Sequence, residues 1–205
     1  MIKDHRHLIA ILRGIRPEEA VAVSEALVGA GISLIEVPLN SPQPIDSIRA
    51  AAKALEGRAS VGAGTVLKED EVDAVAAVNG GFIVSPDCNE AVIARTRARG
   101  LRSYPGVFSP TEAFRAIRAG AHGLKFFPAE VLGAAGIKAM KAVLPPVIPL
   151  YAVGGANPDN FAEFIAAGCA GFGVGSYLYT PGRTLAEIAA RATALVTAYD
   201  SACTR

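Results

Sequence analysis

The chain has 205 residues, 51% apolar and 19% charged, with a formal net charge of +1. These values fit one folded domain over 1–205. They exclude a disordered chain, a collagen-like repeat and the electrostatic footprint of a nucleic-acid binder or anionic-membrane binder. No apolar run approaches the ~18 residues that a membrane span needs. The polar start, 1–7, lacks the apolar core of a secretory leader, so a cytoplasmic protein is expected.

Eight short, β-branched-rich apolar runs follow, at 8–12, 34–39, 60–66, 82–85, 102–107, 122–127, 147–153 and 171–175. Gly or Pro bounds them, as with buried parallel strands. Between them lie stretches of helical apolar spacing, such as 17–30, 70–78 and 157–167. Helix starts are marked by Arg16-Pro17-Glu18-Glu19, by the capping box Ser109-Pro110-Thr111-Glu112 and by Asn157-Pro158-Asp159. Gly31, Gly100, Gly120 and Gly168 follow helical stretches as C-terminal caps. Eight strand–helix units at roughly 23-residue spacing predict a single-domain α/β fold, the (β/α)8 TIM barrel. After the first run comes Arg13-Gly14-Ile15, not the glycine fingerprint of an open dinucleotide-binding sheet.

A barrel of this kind carries its chemistry at the C-terminal ends of its strands. Residues there that do not belong in a core are the candidates. Lys125 is the one lysine of six inside an apolar run, Gly123-Leu124-Lys125-Phe126-Phe127. Burial lowers a lysine's pKa and frees the amine as a nucleophile. Glu36, in Leu34-Ile35-Glu36-Val37-Pro38, is a carboxylate in the same kind of setting. Desolvation would raise its pKa into the range of a proton shuttle. A structural partner for Arg13 or Lys125 is the competing role. Arg13 ends the first run with a guanidinium suited to a carboxylate. Thr65 ends Gly62-Ala63-Gly64-Thr65 with a hydroxyl that can donate. The last two units end Ala152-Val153-Gly154-Gly155 and Gly173-Val174-Gly175-Ser176. Loops at these positions bind phosphate in many barrels, through exposed backbone N–H groups. The set fits Schiff-base chemistry on a 2-keto acid with a remote phosphate. No metal or cofactor motif is present. Cys88, Cys169 and Cys203 form neither a disulfide framework nor a zinc spacing, and read as core or surface residues.

The sequence resembles the class I 2-keto-3-deoxy-6-phosphosugar-acid aldolases along nearly its whole length. The motifs are Ile11-Leu12-Arg13-Gly14, Ile35-Glu36-Val37, Gly62-Ala63-Gly64-Thr65-Val66, Pro105-Gly106, Leu124-Lys125-Phe126-Phe127-Pro128, Gly154-Gly155 and Gly175-Ser176. The resemblance implies that Lys125 forms the Schiff base and Glu36 shuttles the proton. It implies that Arg13 and Thr65 hold the pyruvyl carboxylate end, and that Gly154, Gly155, Gly175 and Ser176 bind the phosphate. It also implies a homotrimer. Within the family, two types act on C4 epimers. Pro38-Leu39-Asn40-Ser41-Pro42 and Ala152-Val153 resemble the galactonate type. The gluconate type carries a threonine where Val153 stands. Phe127-Pro128-Ala129-Glu130 is closer to the gluconate type, while 85–89 and 107–109 match neither. The alternatives are therefore a gluconate-type or 4-hydroxy-2-oxoglutarate aldolase and, in another class, a phosphosugar-binding barrel without catalysis.

Overall fold

The computed structural model describes residues 6–204, so the polar start over 1–5 lies outside the described residues. Nine strand segments alternate with eight helices: β1 (Leu8–Ile11), α1 (Pro17–Ala30), β2 (Leu34–Pro38), α2 (Pro44–Ala54), β3 (Ser60–Gly64), α3 (Glu69–Ala77), β4 (Phe82–Val84), α4 (Glu90–Ala98), β5 (Arg102–Tyr104), β6 (Gly106–Val107), α5 (Pro110–Arg118), β7 (Leu124–Phe126), α6 (Ala129–Lys141), β8 (Leu150–Val153), α7 (Phe161–Ala166), β9 (Gly171–Val174) and α8 (Leu185–Cys203). The strand order is β5-β4-β3-β2-β1-β9-β8-β7-β6, parallel throughout.

The two ends of that order, β5 and β6, are separated in the chain by Pro105 alone. The run expected as one strand over 102–107 is thus two segments, because proline has no N–H to give the ladder. Its carbonyl still accepts from the Lys125 N–H at 2.9 Å. Eight staves close a (β/α)8 barrel; the fifth pairs with β4 over 102–104, and its Ser103, Pro105 and Val107 carbonyls accept from the His122, Lys125 and Phe127 N–H groups of the sixth. Gly106 permits this. A Cβ there would lie 2.2 Å from the Pro86 carbonyl oxygen, so only a glycine lets the two backbones approach.

The barrel separates two cores. Between staves and helices lies the larger one, to which α1 contributes Ala20, Val23 and Leu27 at helical spacing. Inside the barrel, Ile9, Ile11, Leu34, Phe82, Val84, Tyr104, Tyr151 and Val153 form the smaller one. Successive strand residues face opposite sides, so this set alternates with the outer set.

Cap chemistry mostly follows the sequence. The Ser109 Oγ accepts from the Glu112 N–H at 3.4 Å, and the Glu112 carboxylate accepts from the Ser109 N–H at 2.8 Å. Gly31 caps α1 at φ 98°, and Gly100, Gly120 and Gly168 also lie at positive φ. One start differs. Helix α7 begins at Phe161 rather than after Asn157, because 157–160 close a turn of their own: the Asn157 Oδ1 accepts from the Asp159 N–H at 2.9 Å. Among the described residues no helix is long and apolar enough to cross a membrane.

Candidate active site

Ladder register sets which residues face inward. Glu36 pairs with Ile11 on one side and Gly62 on the other, and Lys125 lies between Gly106 and Tyr151. Both charged side chains therefore share the interior face, and each has a glycine across one ladder. Glu36 is 2% exposed and Lys125 6% exposed. The room for the carboxyl comes from Gly64, where a Cβ would sit 1.7 Å from Glu36 Oε1.

Burial raises the Glu36 carboxyl above its ordinary range, against the nearby positive charges of Lys125 and Arg13. Burial lowers the Lys125 ammonium. The Glu36 charge opposes that shift and Arg13 adds to it. In both groups desolvation is the largest effect, the expected outcome for ionisable groups removed from water. Burial thus disfavours the charged form of each group, and the charge of each favours the charged form of the other. The Lys125 Nζ lies 4.7 Å from the centroid of the Phe127 ring.

Above Lys125 opens a cavity of about 1030 Å³. Arg13, Lys125, Val153, Gly154, Gly155, Gly175 and Ser176 all line it, so the structure brings together most of the residues singled out in the sequence. Arg13 donates from Nη1 to the Asn40 Oδ1 at 2.6 Å, and the Gly14 N–H donates to the Ser41 Oγ at 2.9 Å. The loop after β2 thus fixes the loop after β1.

Two expected residues are not in the cavity wall. Glu36 stays buried against Gly64. Thr65 follows Gly64 with φ 58°, the left-handed region, which a β-branched residue rarely adopts. Strain of this kind collects at functional sites, yet nothing in the sequence Gly62-Ala63-Gly64-Thr65 announces it.

The cavity also has walls that sequence reasoning missed. Tyr177, Tyr179, Thr180 and Pro181, from the loop after β9, close one side. Pro181 packs over Gly14, where a Cβ would lie 2.9 Å from its Cγ. A turn-rich loop gives no periodic signal, so the only clue was its position after the last strand. Gly154 and Gly155 take φ values of 97° and 73°, open to glycine and costly for other residues. Among the described residues, the backbone N–H groups of Gly155, Ala156, Ser176 and Tyr177 donate to no protein acceptor. That is the composition of an anion cradle. No group of three or more His, Cys, Asp or Glu among the described residues could hold a metal ion. Cys88 is half-buried, Cys169 buried and Cys203 exposed, all unpaired, and burial pushes the Cys169 thiol up to about 12.

Comparison with known proteins adds the following. The family described as KDPG and KHG aldolase matches residues 2–193. A protein of Rhizobium meliloti (strain 1021), named "Probable 2-dehydro-3-deoxy-6-phosphogalactonate aldolase", is 50% identical over 196 residues. That match covers 96% of this chain and 92% of the relative. The 2-dehydro-3-deoxy-6-phosphogalactonate aldolase of Escherichia coli (strain K12) is 49% identical over 195 residues, 95% of each chain. A solved structure described as "Native KDPGal structure" superposes with a TM-score of 0.95 at 48% identity, covering 97% of this chain and 96% of that one.

Proposed function

Since the chain belongs to the KDPG and KHG aldolase family, we propose that it cleaves 2-dehydro-3-deoxy-6-phospho-D-galactonate reversibly to pyruvate and D-glyceraldehyde 3-phosphate, through a Schiff base on Lys125. The observation that carries this reading is the buried amine and the buried carboxyl on one interior face, beneath a cavity whose far side is an anion cradle.

The amine of Lys125 attacks the C2 ketone. The carbinolamine loses water to give an iminium, which is the electron sink for the next step. Glu36, through a water molecule, takes the C4 hydroxyl proton, the C3–C4 bond breaks, and D-glyceraldehyde 3-phosphate leaves. Its electrons pass into the enamine. Protonation at C3 and hydrolysis of the imine release pyruvate and restore the amine. Arg13 and Thr65 hold the carboxylate end. Gly154, Gly155, Gly175 and Ser176 hold the phosphate. Asn40 takes one of the Arg13 donors, and Arg13 lines the cavity.

Epimer choice rests on Val153. It lines the cavity, packs on Gly173 and is 6% exposed. Its methyl groups cannot hydrogen-bond a C4 hydroxyl. The near-full-length similarity to two proteins named for the galactonate substrate supports the same choice. A homotrimer is the proposed assembly. Phe108, Phe127 and Val131, on the neighbouring loops after β6 and β7 and the first turn of α6, are 42%, 39% and 69% exposed and offer apolar surface for it. Three unpaired cysteines suit a reducing compartment such as the cytoplasm.

Pyruvate release from each C4 epimer, measured separately, tests the assignment. Strong preference for the galactonate epimer is expected. Preference for the gluconate epimer would overturn the Val153 argument and leave the mechanism standing. No pyruvate from either would leave a binding barrel.

A further inference from the structure

Asn160 occupies the N-cap position of α7 yet makes no side-chain cap hydrogen bond. Asparagine is among the best residues for that bond. Its side chain is spent elsewhere. The Asn160 Nδ2 donates to the Gly155 carbonyl at 3.0 Å, and its Oδ1 accepts from the Asn157 N–H at 3.0 Å. The Asn157 Nδ2 donates to the same Gly155 carbonyl at 3.0 Å. One peptide oxygen thus takes two side-chain amides.

The opposite loop repeats the arrangement with different residues. The Arg183 Nη1 donates to the Ser176 carbonyl at 3.3 Å and to the Tyr177 carbonyl at 2.9 Å, and the Arg191 Nη1 donates to the Tyr177 carbonyl at 3.0 Å. In a trans peptide the C=O and the following N–H point opposite ways. Capturing the Gly155 oxygen therefore fixes the Ala156 N–H, and capturing the Ser176 oxygen fixes the Tyr177 N–H. Both residues line the cavity, and among the described residues neither N–H has a protein acceptor.

We propose that the Ala156 and Tyr177 N–H groups are anion donors of the cradle, and that Asn160 and Arg183 are the positioning residues that aim them by holding the preceding carbonyls outward. The ligand class is a phosphomonoester dianion. The inference rests on the phosphate-end reading above. It adds two donors that glycine patterning does not reveal and assigns a role to two side chains not in the cavity wall. A carbonyl that rotated inward would present a partial negative charge to the phosphate, so loss of the clamp should weaken phosphate affinity specifically.

The test uses the condensation direction, with pyruvate and either D-glyceraldehyde 3-phosphate or unphosphorylated D-glyceraldehyde. Asn160→Ala and, from the other loop, Arg183→Met are the variants. Each should raise KM for the phosphorylated aldehyde by about tenfold, the effect of one hydrogen bond of ~1.4 kcal/mol. Reaction with D-glyceraldehyde should change less than about twofold, and competitive inhibition by inorganic phosphate should weaken in parallel. Asn160→Asp keeps the acceptor for the Asn157 N–H but turns an oxygen toward the Gly155 carbonyl, so it should not rescue. Equal losses with both aldehydes, or no change with either, would overturn the positioning role. Should one variant fail to fold, the other decides. A wild-type protein that neither prefers the phosphorylated aldehyde nor is inhibited by phosphate would instead overturn the phosphate-end reading itself.

Discussion

The two mouths of the barrel are built from the same alternation of strands but spend their polar groups differently. At the N-terminal mouth the polar atoms are committed to one another. The His7 Nδ1 and the Tyr151 hydroxyl are 2.6 Å apart, the Ser103 N–H donates to the His122 Nδ1 at 3.0 Å, and Arg102 lies 6.0 Å from the Phe82 ring centroid. The Tyr104 and Tyr151 rings meet edge to face at 5.3 Å. At the C-terminal mouth, backbone donors face a cavity, and burial disfavours the charged forms of an amine and a carboxyl. Satisfied groups stabilise the N-terminal end. Unsatisfied ones are what a substrate can satisfy at the open end.

Substitutions at the two mouths should therefore separate activity from stability. The largest effect is expected for Lys125→Ala. Pyruvate formation should vanish, and borohydride with pyruvate should no longer leave a reduced adduct on the protein, as read by mass spectrometry. Survival of either would break the contrast at its strongest point.

Gly64→Ala comes next. Its new methyl would occupy the position of the Glu36 carboxyl, so kcat should fall by on the order of 10²-fold or more, approaching Glu36→Gln. Steady-state kinetics on both variants check this. An active Gly64→Ala would show that Glu36 can work from another position.

The pH dependence sharpens the contrast further. Lys125 is lowered and Glu36 raised, so their titrations move toward each other, and the working pair holds one proton. A second proton at low pH leaves neither a free amine nor a base. Loss of the last proton at high pH leaves no acid to expel water from the carbinolamine. A bell-shaped kcat/KM should result, with its limbs drawn inward from the ordinary carboxylate and ammonium ranges, and Glu36→Gln should remove one limb. A flat wild-type profile would count against tuned groups.

Val153→Thr is a smaller change. It adds a hydroxyl without adding volume, and should move the ratio of gluconate to galactonate cleavage by about tenfold. The smallest effect on turnover belongs to the N-terminal mouth. Tyr151→Phe removes the hydroxyl beside His7, should cost ~1 kcal/mol in thermal unfolding and should leave kcat unchanged. A fall in kcat there would erase the distinction between the mouths.

Much of this was legible in the sequence, for physical reasons. Strand periods are local, so eight staves could be counted. Lys125 and Glu36 break an apolar pattern, so they could be picked out without neighbours. Helix α1 begins and ends where Pro17 and Gly31 place it. What escaped depends on backbone turns and hydrogen bonds that residue identity alone does not specify. Pro105 looked like part of one strand because its missing N–H matters only once partners on both sides are known. The break inside α6 falls on Gly133, with φ 69°, but Gly136 in the same helix stays out of that region, so glycine alone does not mark the break. Asn157 and Pro158 carried a convincing helix-start signal, but the turn they form belongs to the Gly155 carbonyl. Hydrogen bonds to backbone oxygens are not residue-specific, so the sequence cannot announce them.

The split stave has a consequence for chain connectivity. At the height of Pro105 both neighbours hold the fifth stave: the Tyr104 carbonyl accepts from the Ser85 N–H at 3.3 Å, and the Ser103 and Pro105 carbonyls accept from the His122 and Lys125 N–H groups at 2.9 Å each. As around the rest of the barrel, neighbouring staves are joined there by hydrogen bonds, while the chain makes its own link through a helix on the outside. A circular permutant whose new ends lie in an outer turn, such as the exposed one at Gly57, keeps every stave intact. One opened at Pro105 cuts through a stave that both neighbours hold and should be the least tolerated of these rearrangements.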